Sequence, residues 1–126
     1  MKVLQIVETA YRATIEEQDD TILWLTQAMR GAGADLDVLL RANAVNYALI
    51  GQDATGIAFG DWRQTQPPNI AEDLARMMSK GILIYVVADD LTERGLQGAQ
   101  YVEGVKPIQR TALPRLINSY DRVWSW

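Results

Sequence analysis

The chain has 126 residues, 48% hydrophobic and 22% charged, with a net charge of −4 and a pI near 4.7. This is the size and composition of one globular domain able to fill a core, and the acidic balance argues against nucleic acid as a partner, because phosphate binding needs a basic surface. There is no Cys and no His. Disulfide, thiolate, persulfide and Cys–metal chemistry are thereby excluded, and the commonest general base and metal ligand are missing.

Met1–Glu8 holds one Lys and a short apolar run that stops at Glu8, too short for a secretory h-region. No apolar run approaches the ~20 residues of a membrane span. A cytoplasmic location with no membrane partner is expected.

Val3–Val7 reads as a buried first strand with Glu8-Thr9 at its C-terminal end. Thr14-Ile15-Glu16-Glu17 has capping-box form, Thr at the N-cap and Glu three residues on, so a helix is expected from there. Its apolar stripe runs through Ile15, Ile22, Leu25 and Met29, and Gly31 or Gly33 stops it. Asp35–Arg41 is a second strand; the Ala42–Asn46 turn leads to a short helix through Tyr47, Leu49 and Ile50 that ends near Gly51. Strand, helix, strand and helix in this order imply a parallel sheet.

Gln52–Asn69 is the least regular stretch, with Gly56, Gly60, Pro67, Pro68, Ile57, Phe59 and Trp62. So long a loop in a compact domain serves as a lid or an interface arm, or is mobile. Its aromatics are expected to pack on the body, with an oligomer contact through Trp62 as the next choice. Asn69 caps the following helix, Glu72 stands at the box position, and Ile70, Leu74, Met77 and Met78 form the buried face.

Gly81 ends that helix and opens the stretch around which the chain is organised, an apolar block to Val87-Ala88, then Asp89-Asp90, then Arg94-Gly95-Leu96. A buried central strand delivering its C-terminal edge to a loop reads this way, and that edge is where ligands gather in open α/β sheets. Asp90 is expected to cap a short helical turn that Gly95 closes. Val105–Gln109 is a short strand that Pro107 confines to an edge or a strand start. Thr111–Asn118 is a short helix with Pro114 in its first turn, and Asp121–Trp126 is the last strand.

A parallel sheet brings three strand ends together, with Glu8 and Thr9, Arg41 and Asn43, and Val87 and Asp89, and Arg94 nearby. These are the candidate lining of a pocket for a small polar ligand. Carboxylates beside an arginine could bind a cation, orient a water or clamp a ligand, but loop acid plus helix cap is the plainer account, and neither a metal site nor a cofactor is expected. Gly31-Ala32-Gly33 sits at a helix end, outside the context of a dinucleotide fingerprint. Trp124 and Trp126 alternate along the terminal strand, so one face needs a cover, and a partner subunit is the expected one.

The whole chain resembles the DsrE/DsrF-like family of small sulfur-relay proteins, which includes the TusD-type subunits. The resemblance rests on Asn43–Ala48, similar to the family's Gly-X-Val-Tyr-Ala turn; on Lys80–Val87, similar to the strand that leads to its site; on Arg94-Gly95-Leu96; and on Tyr120–Trp126, similar to its closing Asp-Arg-Val plus aromatic. It implies a three-layer α/β/α fold with a five-stranded, mainly parallel, flavodoxin-like sheet. It also implies homo-oligomers, commonly trimers or hexamers, or assemblies with sister subunits. Active members of the family carry a persulfide on a cysteine at the end of the central strand, eight residues before the Gly of the Arg-Gly pair. That position is Val87 here, and there is no other cysteine to replace it. The expectation is therefore a non-catalytic, cysteine-less DsrE-like scaffold or accessory protein tied to intracellular sulfur metabolism. The rival readings are a small-molecule binder at the strand ends and, third, an enzyme using acids and Tyr.

Overall fold

A computed structural model describes residues 1–52 and 55–126. Asp53 and Ala54, inside the irregular stretch, lie outside the described residues. The chain forms β1 (Lys2–Val7), α1 (Thr21–Gly31), β2 (Asp35–Leu40), a 3-10 helix (Ala42–Ala48), β3 (Ala58–Phe59), β4 (Trp62–Arg63), α2 (Ile70–Ser79), β5 (Ile84–Val87), α3 (Ala88–Glu93), β6 (Lys106–Ile108), a 3-10 turn (Arg110–Ala112), α4 (Leu113–Asn118) and β7 (Arg122–Ser125). Five strands make one sheet in the order β6-β5-β2-β1-β7, and β3 and β4 form a separate two-stranded pair. Every pairing in the large sheet is parallel, so the sheet is wholly rather than mainly parallel.

The strand sequences explain the layers. β1 and β2 are covered on both faces and read as nearly unbroken apolar runs, as parallel strands do. One face packs against α1, α2 and the 3-10 helix through Val7, Val38, Leu40, Ile84, Val86, Ile22, Leu23, Tyr47, Leu74 and Met77. The other packs Leu4, Ile6, Leu39 and Val87 against Leu113 and Tyr120. Each fully buried aliphatic side chain contributes about 1.5–3 kcal/mol. The result is the three-layer, flavodoxin-like arrangement that the family resemblance implies.

α2 starts where expected, with the Asn69 side chain accepting from Glu72 N at 3.2 Å. It gives way at Gly81, whose φ of +84 suits a residue without Cβ, and an added Cβ would lie 3.0 Å from Arg30 Nη2. Pro107 lies in β6, an edge strand.

Four local expectations need correction. The helix expected from Thr14 begins at Thr21, with Asp20 as its cap; the Asp20 carboxylate accepts from Ile22 N at 2.8 Å and Leu23 N at 2.9 Å. Thr14 instead closes a local turn, its Oγ1 accepting from Gln18 N at 2.7 Å, and Glu16 reaches across to Thr65 and Gln66. Ile15 therefore leaves the buried stripe and is 59% exposed. The helix expected through Tyr47 and Ile50 is shifted towards the N-terminus, because Leu49 turns extended and bridges to Tyr101. Asp90 does not cap α3. Val87 holds that position, and Asp90 lies in the first turn with its carboxylate directed elsewhere. Finally, the aromatics of the irregular stretch do not pack on the body. Phe59 and Trp62 stack on each other at 5.9 Å across the β3–β4 pair, with Phe59 67% exposed.

Candidate functional site

The C-terminal ends of β1, β2 and β5 converge as a parallel sheet requires. Arg41 N donates to Val7 O at 3.0 Å and Ala44 N to Glu8 O at 3.2 Å, which ties the segments after β1 and β2 together. Between them Ala42 takes a φ of +51, unusual for a residue with a Cβ. The conformation is held from the far side: Ala42 N donates to Asp90 Oδ2 at 2.7 Å.

The candidate side chains pair among themselves. Glu8 Oε1 lies 3.3 Å from Arg41 Nε, with both side chains largely in solvent. Asn43 Oδ1 accepts from Arg94 Nε at 3.2 Å and Nη2 at 3.1 Å, and Arg94 Nη1 donates to Asp90 O at 3.2 Å. Asp89 Oδ1 accepts from Arg110 N at 2.7 Å. Arg110 Nη2 donates to Asp90 Oδ1 at 2.5 Å and to Glu93 Oε1 at 2.9 Å. Thr9 is exposed beside Glu8, and Val87, 1% exposed, ends β5.

Burial alone would push the Asp90 carboxyl up, but the Ala42 N–H and the Arg110 guanidinium outweigh it and hold the pKa below the usual range. Arg110 is shifted upwards in turn by Asp90 and Glu93. Among the described residues no group of three or more acids converges as a cation site requires. The Glu8–Arg41 pair is the part most readily opened to a polar ligand, since an exposed ion pair is worth roughly 0–1 kcal/mol. Asp90 is locked by contrast.

The site thus unites Glu8 with Arg41 and Asn43 with Arg94, and sets Val87 and Asp89 beside them. It leaves the tryptophans elsewhere. Trp62 stands on the β3–β4 pair, while Trp124 and Trp126 lie at the β7 edge, where with Leu25, Met29, Val123 and Ser125 they line a shallow groove of about 500 Å³. Sequence reasoning missed Arg110, the residue that closes the acidic turn. Asp90-Leu91-Thr92-Glu93 offered a weak signal, two acids spaced to share one cation on a helical face, but nothing in the sequence names the cation.

With 22% identity and a TM-score of 0.71, the chain is similar over 100% of both lengths to the ychN protein from E. coli. It is also similar, at 12% identity and a TM-score of 0.60 over 98% of this chain and 97% of the other, to MTH1491, a protein of unknown function from Methanobacterium thermoautotrophicum. These likenesses are of fold, and they agree with the DsrE-like architecture. No family model and no curated protein matches the sequence.

Proposed function

We propose that this chain is a cysteine-less, DsrE-like accessory subunit that acts through assembly and carries no persulfide of its own. One observation supports the reading above the others. Val87 occupies the strand end to which the resemblance assigns the sulfur-bearing cysteine, and it is closed under Leu4, Ile6, Leu39, Leu113 and Tyr120 at 1% exposure. A valine offers no nucleophile, and the polar groups around it are occupied by one another. The exposed apolar surface that assembly would cover lies at Phe59 and Trp62 and along β7, where Val123 and Trp126 are each 38% exposed.

Native mass spectrometry of protein purified gently from its own cells, followed by incubation with a sulfur donor, tests the proposal. The expected result is a homo-oligomer, a trimer or hexamer, or an assembly with a similar-sized chain bearing a cysteine at the matching strand end. No sulfur should add to this chain. A monomer at every concentration, or sulfur carried by the unaltered chain, would overturn the reading. A retained small molecule would favour ligand binding at the strand ends instead.

A further inference from the structure

We propose that the β3–β4 arm of one copy of this chain seats Phe59 and Trp62 in the groove between β7 and α1 of a second copy, head to tail. This rests on the assembly proposed above and adds to it which surfaces meet.

The arm is built to present its rings. The turn Gly60-Asp61 joins Ala58–Phe59 to Trp62–Arg63, and the pairing of Phe59 with Trp62 sets both rings on one face. Ile57 adds a third apolar side chain, 47% exposed. Ile57 N donates to Gln64 Oε1 at 3.1 Å and Gln64 N to Ile57 O at 2.8 Å, which prolongs the pairing towards the base. Gln64 Nε2 donates to Ile15 O. The Glu16 carboxylate receives Thr65 N–H at 2.9 Å and Gln66 N–H at 3.0 Å. The base is thus clamped to the loop before α1 while the rings stay exposed. A surface anchored in this way loses little freedom when it binds.

The two edges of the large sheet differ. β6 carries Lys106 and Pro107, residues that block the addition of a further strand. β7 carries neither. The groove beside it, lined by Leu25 and Met29 of α1 and by Val123–Trp126, has the volume of clefts that take up a small organic group.

Shape and charge choose the occupant. The arm projects and the groove is hollow, so each fits the other better than a copy of itself. Arm against arm would set one Asp61 turn against another, at a cost in like charge. Groove against groove would leave both hollows empty. The register places Arg122 beside Val3 and Trp124 beside Gln5, so Arg122 lies on the same face of β7 as Trp124, at one end of the groove. Arg122 Nη1 donates to Asp121 O at 3.0 Å. Among the described residues no ion pair engages Arg122 or Asp61. A free acid beside the aromatic pair therefore matches a free base beside the groove. Both halves stand on one chain, and two different patches in contact make a heterologous interface, which closes into a ring when the rotation permits.

Two variants that each spoil one surface provide the test, sized by native mass spectrometry and sedimentation velocity. Phe59→Thr with Trp62→Thr removes the rings and keeps strand formers in the arm. Met29→Glu keeps a helix former in α1 and sets a carboxylate in the groove against Asp61. Each should assemble at least about tenfold more weakly than the parent, as loss of a central anchor does. Mixed one to one, with one variant isotope-labelled, they should form a complex holding one copy of each, because each supplies the surface that the other lacks. An interface between identical patches cannot give that result. Asp61→Arg, exposed and remote from the core, should weaken assembly several-fold, and adding Arg122→Asp should restore it. A monomeric parent overturns both this proposal and the assembly reading. A parent that assembles overturns this proposal alone if its partner is a different polypeptide, if either surface variant assembles like the parent, if the mixture yields no one-to-one complex, or if the charge exchange restores nothing.

Discussion

Trp126 Nε1 donates to Gln5 Oε1 at 2.6 Å, joining the last strand to the one buried polar side chain of the first. Gln5 Nε2 passes the chain on to Thr26 Oγ1 at 2.8 Å, and Thr26 donates to Ile22 O at 2.7 Å. A strand that reads as apolar thus carries an amide whose partners come from α1 and β7. Trp126→Phe keeps most of the ring but leaves the Gln5 carbonyl oxygen without its donor, at an expected cost of about 1–3 kcal/mol. Adding Gln5→Met should recover part of that loss, because the stranded acceptor is then gone. Urea unfolding of the two variants checks it; equal losses would mean that ring packing, not the hydrogen bond, holds β7. Trp124→Ala is accordingly the cleaner probe of assembly, since Trp126→Ala disturbs the fold as well.

Asp90 holds three segments at once, receiving Ala42 N–H at 2.7 Å and Arg110 Nη2 at 2.5 Å from its own place in α3. Asp90→Ala should cost about 2–3 kcal/mol, since it frees the strained Ala42 turn and leaves Arg110 with Glu93 alone. Arg110→Gln should cost less, because the Ala42 bond survives. The folded pKa of Asp90 is depressed, so its contribution is present above the unfolded value near 3.8 and is lost as pH falls through the lower, folded value. Chemical denaturation from neutral to acidic pH should show parent and Asp90→Ala converging at the acid end.

Asp37 sits in β2 at 2% exposure, a carboxylate where the pattern calls for an apolar side chain. Leu83 N donates to its Oδ1 at 2.8 Å, Tyr120 Oη to its Oδ2 at 2.7 Å, and Lys2 Nζ approaches to 3.6 Å. Tyr120→Phe removes the phenol donor from a nearly dry charge and should cost about 1–3 kcal/mol. Asp37→Asn should restore part of the stability in that background, because the amide carries no charge to satisfy. Thermal unfolding of the single and double variants measures the coupling.

The contrast between Asp37 and Val87 marks what the sequence made legible. Val87, Ile84 and Val86 declare a buried parallel strand by composition alone, and with Val3–Val7 and Asp35–Leu40 they suffice for the sheet. Asn69 and Glu72 declare a helix start because both partners lie within one turn. Legibility ends where the partner is distant in the chain. Arg110 lies 20 residues from Asp90, Tyr120 lies 83 from Asp37, and neither spacing follows from a local period. Thr14 misled for the same reason. Its capping box is sound locally, but Asp20 also receives the Tyr47 hydroxyl, and that tertiary bond favours the later start. Of the candidate site, the strand-end residues were readable from the parallel topology, while the pairing of Asn43 with Arg94 and of Asp90 with Arg110 was not.

Asp73 gives the sharpest test by pH. Its side chain is only 14% exposed, faces Asp19 on the loop before α1, and lies beside Glu72 and Arg76 of its own helix. Burial first, then Asp19, raises its pKa from 3.8 to about 7, with Arg76 opposing. Below 3.8 both folded and unfolded chains hold the proton; between there and about 7 the folded chain alone holds it. Stability therefore falls as pH rises across that window, and above it the ionised Asp73 confronts Asp19 at full charge. Asp73→Asn removes the ionisation and keeps a donor for Asp19. It should stabilise the protein by about 1–2 kcal/mol at mildly alkaline pH and by progressively less towards pH 4. Melting curves of parent and variant across that range decide it. A gain that is constant with pH would show that the carboxyl pair does not share a proton, and that Asp73 is ordinary charge on the flank of α2.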